Sequence, residues 1–187
     1  SSGPPRPTPD SMYQAHRERL LQELSTTGPA AILPTAKHKV RNHDCEYRFR
    51  PDSDFWYLTG FAEPEAVLVL APGRENGEFL LFCRDRDPER ETWDGARAGP
   101  EGAVRDYGAD DAFPITDIDD ILPGIIEQCD RVYYNLGMDH DFDQRLIGWV
   151  SALRERGSGS HTPDEFIALD HQLHDLRLFK SRAEISA

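Results

Sequence analysis

Long apolar runs are missing from this chain. The longest, Ala66–Pro72, falls far short of the roughly 18 residues that a membrane-spanning helix needs. It reads as a buried strand, and no membrane partner is expected. The opening Ser1-Ser2-Gly3-Pro4-Pro5 lacks the apolar core of a signal peptide. Cysteine is scarce: Cys45, Cys83 and Cys129 are the only three in 187 residues. An odd number at long spacings argues against a disulfide framework. Cys83 and Cys129 sit in or beside apolar stretches, so free buried thiols in a reducing cytoplasm are expected. Positive charge is in deficit, with 21 Lys and Arg against 34 Asp and Glu and a net −13. Nucleic-acid phosphates and anionic lipid would repel such a chain, so no nucleic-acid partner is expected. Also missing are a phosphate-binding P-loop, a Gly-x-Gly-x-x-Gly turn and a Gly-x-Ser-x-Gly elbow, which leaves nucleotide binding and serine hydrolysis without support.

What is present alternates between strands and helices. Residues 1–11 hold four prolines and almost nothing apolar, and read as a disordered tail. Met12 to Leu24 is predicted as a helix, with Leu20, Leu21 and Leu24 on its inner face and Arg17, Glu18, Arg19 and Glu23 around the remainder. Ala30–Leu33 reads as a strand, and Thr35 to Asp54 as polar and irregular. Ala66–Leu70 and Glu78–Arg84 read as two strands of a hairpin, separated by Pro72-Gly73 and Asn76-Gly77. Their unbroken apolarity predicts central strands covered on both faces. Further expectations are one helical or irregular turn at Pro88–Gly95, a short helix at Pro100–Tyr107, a strand at Ala112–Ile115, a helix from Asp117 to Gln128 disturbed by Pro123, and a strand at Arg131–Asn135. An amphipathic helix is expected from Phe142 to Arg156, with Phe142, Leu146, Trp149, Val150 and Leu153 inward. A last helix is expected from Leu169 to about Leu176. The pattern defines an α/β class. Near the end, Ser181-Arg182-Ala183-Glu184 has the spacing of a capping box, with too few residues behind it for a stable helix. A longer parent protein is expected, with a frayed tail as the rival reading.

Candidates for chemistry inside the chain are weak. His171-x-x-His174 would share a helix face, but a tight metal site needs more ligands, and two surface histidines are the plainer reading. Asp139-x-Asp141-x-Asp143 resembles the start of a calcium loop. The pattern then fails at Gln144 and Val150, and acidic residues at a helix start complement its dipole. Asp117, Asp119 and Asp120 receive the same reading. His38, His43 and Cys45 lie close together, but Asp44 and Glu46 would raise the thiol pKa. Trp93, in the polar context Glu91-Thr92-Trp93-Asp94-Gly95, is either an amphipathic core edge or a contact surface.

The stretch Asp52-Ser53-Asp54-Phe55-Trp56-Tyr57-Leu58-Thr59-Gly60-Phe61, with Glu63-Pro64-Glu65-Ala66-Val67-Leu68-Val69-Leu70, resembles the amino-terminal domain of bacterial aminopeptidase P, of the creatinase/prolidase family. Glu91-Thr92-Trp93-x-Gly95-x-Arg97, Arg131-Val132-Tyr133-Tyr134 and Leu176-Arg177-Leu178-Phe179-Lys180-Ser181 follow in the family's order. The resemblance implies a mixed sheet flanked by helices, with a ribonuclease-H-like motif. It implies a domain over residues 12–177, and at 178–187 a linker or helix into a catalytic domain that this chain does not contain. That domain would hold two divalent metals, manganese by the resemblance, on two aspartates, a histidine and two glutamates, and would cleave the bond before proline. This chain is then expected to be inactive alone, and to serve assembly and substrate gating. Its partners would be its own catalytic domain, further copies in a homo-oligomer, and proline-containing peptides. Trp93 would reach a neighbouring subunit's cleft, and Arg50 and Asp54 could line the cleft rim. Two other readings are a catalytically silent protein-binding module of the same fold and a small independent enzyme using Cys45.

Overall fold

Alternation of side chains across a pleated strand explains the architecture. A computed structural model describes residues 9–24, 29–35, 53–127, 129–157, 161–170, 172–174 and 176. Strands β1 (Ala30–Pro34), β2 (Val67–Leu70), β3 (Phe79–Cys83), β4 (Asp111–Pro114), β5 (Arg131–Tyr133) and β6 (Glu165–Ile167) form one sheet in the order β4-β3-β2-β1-β5-β6. The β2–β3 hairpin is antiparallel as expected, with Val67 opposite Phe82 and Leu70 opposite Phe79. β1 pairs antiparallel with β2, while β1–β5, β3–β4 and β5–β6 are parallel. The sheet is therefore mixed.

Every residue of β2 and β3 is buried, because both faces of the sheet are covered. Leu68, Leu70, Phe79, Leu81 and Cys83 point to one layer, with Ala31 and Leu33 of β1. Val67, Val69, Leu80 and Phe82 point to the other, with Ile32. The first layer is closed by α1 (Pro9–Leu24), α2 (Ser53–Thr59), α4 (Gly99–Tyr107) and the helical residues around Leu173. The second is closed by α5 (Ile118–Ile126) and α6 (His140–Glu155), which contribute Ile118, Leu122, Phe142, Leu146, Trp149 and Leu153. Each fully buried Leu or Phe contributes about 1.5–3 kcal/mol, so these two layers hold the fold. Between β3 and α4 runs α3 (Pro88–Asp94), which buries no residue at all.

Several expectations need correction. Helix α1 opens at Pro9, so residues 9–11 belong to it and not to a tail. Proline is tolerated in a first helical turn, where its missing N–H has no intrahelical partner to lose. Arg17 is not on the outer face: it is 6% exposed. Its guanidinium donates to the Leu58 carbonyl at 2.9 Å and lies 4.1 Å from the Phe79 ring centroid. A buried cation survives there because carbonyl and π-face both accept it. Ser53 and Asp54, expected to be irregular, start α2. β6 was not anticipated. It is short, and Glu165 and Phe166 are exposed, so it carries neither alternation nor an apolar run. The β5 strand ends at Tyr133, and Asn135 instead binds the following chain. Its Oδ1 accepts from Leu169 N at 2.7 Å and Asp170 N at 3.2 Å. Pro123 sits inside α5 without ending it, behind a 3-10 turn at Ile115–Asp117.

Candidate functional site

The exposed tryptophan is the feature to explain. Trp93 is 88% exposed, on a seven-residue helix too short to be stable in isolation. Local polar contacts fix that helix. Asp87 caps it, its Oδ1 accepting from Arg90 N at 3.3 Å, and Pro88 occupies the first turn. At the other end Gly95 takes φ 95°, and its N–H reaches Glu91 O at 3.1 Å. That backbone angle suits glycine.

Beneath the helix lies a group of charged side chains. Glu91 Oε1 accepts from Arg97 N at 2.7 Å and stands 3.4 Å from Arg86 Nε. Glu63 Oε2 accepts from Ala98 N at 2.9 Å, and its Oε1 pairs with Arg84 at 3.5 Å. Arg97 donates to the Asp85 carbonyl at 3.2 Å and lies 3.9 Å from Asp94. The side chains of Glu91 and Arg97 are each 9% exposed. The Arg97 amide, followed by Arg86, holds the Glu91 carboxyl below the usual carboxylate range despite partial desolvation. The group thus ties 84–98 to Glu63. It positions; it presents no nucleophile or general base to solvent.

The other candidates divide clearly. Arg50 lies outside the described residues, as do His38, His43, Asp44, Cys45 and the side chain of His171. Asp54 is half buried in the first turn of α2, on a different element from Trp93. His174 is exposed. Among the described residues no group of three or more His, Cys, Asp or Glu could hold a metal ion. Burial, aided by Glu63 and Asp85, pushes the Cys83 thiol up to about 12. Burial and Asp130 push Cys129 up to about 11. Both are free and buried, and neither is poised as a nucleophile at neutral pH. Asp139 caps α6 by accepting from Phe142 N at 3.1 Å, in keeping with the helix-start reading. Asp143 departs from that reading. It is buried, with Oδ1 accepting from the Tyr134 hydroxyl and Oδ2 from Gly137 N at 2.9 Å. Asp119 likewise does more than face a dipole: it accepts from Trp149 Nε1 at 3.0 Å and pairs with Arg145 at 3.1 Å. A polar depression of about 480 Å³ between α1, β3 and α4 sets Arg17, Arg74 and Arg105 against Glu18, Glu75 and Asp106. Its mixed charge selects no ligand class.

In the sequence, Glu91 and Arg97 stand only as spacing around Trp93. What they and Glu63 do together has no local mark there.

A mixed six-stranded sheet with helices on both faces defines an α/β domain, and Trp93 is its most exposed tryptophan. The family model for the aminopeptidase P N-terminal domain matches residues 13–133, from α1 to the end of β5, and the chain belongs to that family. It is 35% identical over 179 residues to the Xaa-Pro aminopeptidase of Escherichia coli K12, covering 93% of this chain and 40% of that one. It is 34% identical over 184 residues to Homo sapiens Xaa-Pro aminopeptidase 3, covering 92% and 36%. Among solved structures, Pseudomonas aeruginosa aminopeptidase PepP matches with a TM-score of 0.82 at 57% identity, covering 89% of this chain and 38% of that one. The chain therefore spans 36–40% of the length of these curated relatives.

Proposed function

We propose that this chain is the assembly and substrate-gating domain of an Xaa-Pro aminopeptidase, an exopeptidase that releases the residue preceding proline. The carrying observation is Trp93, 88% exposed on a helix that buries nothing. An indole left in water on a pinned helix is suited to contact another polypeptide. Proline gives such a contact a purpose. Its tertiary amide lacks the N–H donor that other residues offer a binding cleft, so recognition leans on apolar stacking against the ring. Trp93 supplies that face to a cleft in a neighbouring subunit of a homo-oligomer, and contributes binding rather than chemistry. Arg50 and Asp54 are assigned to the cleft rim.

The chemistry belongs to a catalytic domain following this one. Two divalent metals, manganese in this reading, would activate water there. The donors among the described residues of this chain do not fit such a pair, and no step of hydrolysis is assigned to them. The domain's other partners are its own catalytic domain and proline-containing peptides. A cytoplasmic site is supported by the two buried, reduced thiols. No described helix is long and apolar enough to cross a membrane.

The test is peptidase activity of the purified 187-residue chain on an Xaa-Pro peptide with added manganese, with its intact mass recorded in the same sample. No turnover is expected. Robust turnover at that mass would place the active site within these residues and overturn the division of labour.

A further inference from the structure

We infer that Glu91 is a positioning residue, whose carboxylate clamps both flanks of α3 and so fixes the direction in which Trp93 is presented. This rests on the reading of Trp93 given above. Two residues along a helix is a rotation of about 200°, so Glu91 and Trp93 lie on opposite faces of α3. The exposures agree: the Glu91 side chain is 9% exposed and Trp93 is 88% exposed.

One oxygen does the clamping. Glu91 Oε1 meets Arg86 Nε at 3.4 Å, on the chain entering the helix, and Arg97 N at 2.7 Å, on the chain leaving it. Both flanks converge on the inner face while the indole is held out. The next amide along, Ala98 N, is bound by Glu63 at 2.9 Å, which anchors the exit strand to the body of the domain. No apolar side chain competes for this task, since α3 buries none. A helix with no hydrophobic anchor would otherwise sample many orientations. Each would have to be lost on binding, at a cost in affinity. The clamp removes that cost before the ligand arrives.

The test compares Trp93→Ala, Glu91→Ala and Glu91→Gln in the full-length enzyme, reading KM, kcat and thermal midpoint on an Xaa-Pro peptide. Glutamine keeps an oxygen for the Arg97 amide and loses only the attraction to Arg86. Glu91→Ala is expected to raise KM about 3- to 10-fold, the range set by one lost hydrogen bond. Its kcat should stay within about twofold, and the thermal midpoint should fall by about 2–4 °C, because the Arg97 amide and Arg86 lose their partner. Glu91→Gln should recover most of the loss. A raised KM for Trp93→Ala with wild-type KM for Glu91→Ala would overturn the clamp and leave the gating role intact. Wild-type KM in all three would overturn both. Hydrogen exchange supplies an independent readout. The Arg97 amide of the unmodified protein should exchange about tenfold or more slowly than that of Ala96, and Glu91→Ala should abolish the difference. Equal exchange in the unmodified protein would sink the clamp whatever the kinetics.

Discussion

Trp149 and Trp93 are the same side chain put to opposite uses. Trp149 is 7% exposed on α6. It packs edge-on against Phe142 at 5.8 Å between ring centroids and donates to Asp119 at 3.0 Å. Trp93 has its indole in solvent, on a helix held by carboxylates and backbone amides. The difference lies in what each helix brings to the sheet. On α6, Phe142, Leu146 and Leu153 recur at helical spacing and dock the whole face. On α3 there is no such stripe, so packing cannot decide where the tryptophan goes, and a polar clamp decides instead. Hydrophobic burial holds an element in place; directed hydrogen bonds aim one.

The strongest way to break that contrast is substitution in the core. Trp149→Ala should cost about 3–5 kcal/mol in urea unfolding, whereas Trp93→Ala should change stability by less than about 0.5 kcal/mol. Equal losses would mean that Trp93 is structural after all. Next is Asp143→Ala, which strands the Tyr134 hydroxyl and the Gly137 amide. It should cost about 1.5–3 kcal/mol by the same measurement. Burial and the adjacent Asp143 raise the Tyr134 hydroxyl above its ordinary pKa, so it remains a donor throughout the neutral range. Gly60→Ala should cost about 1–2 kcal/mol, because Gly60 has φ 70° and a Cβ there would run into the Tyr13 ring.

Smaller effects concern the clamp and the thiols. The Glu91 carboxyl is depressed in the folded protein, so its contribution is present above the ordinary carboxylate range and is lost as pH falls through the depressed value. Protection of the Arg97 amide should hold through the ordinary carboxylate range and weaken only as pH falls through the depressed value. Fading already near neutrality would contradict the assigned charge state. Cys83 and Cys129 should resist a thiol reagent at pH 8 in the native protein and react on unfolding. Labelling of either in the native state would contradict its burial.

Legibility in the sequence followed the same division. Ala66–Leu70 and Glu78–Arg84 announced central strands because burial on both faces leaves an unbroken apolar run. The inner face of α6 was readable down to Trp149 because its spacing is local. Parallel pairing of β1 with β5 and the existence of β6 were not readable, since register between distant segments leaves no local mark. Arg17 was misplaced because the partners that make its burial tolerable, Leu58 O and Phe79, lie far along the chain. The exposure of Trp93 stood as one of two readings of its polar context. Its mount could not be read, because Glu63 is 35 residues from the amide it binds. The rim assignment of Arg50 falls outside the described residues, and so does the expected junction at 178–187.

Steady-state kinetics of Trp93→Ala in the full-length enzyme, with its thermal midpoint, test the central claim most directly. KM should rise on Xaa-Pro peptides, kcat hold and the midpoint stay put if, as proposed, the indole binds substrate and supports nothing in its own domain. Unchanged KM for peptides of every length, or a fall in the midpoint matching that of Trp149→Ala, would contradict it.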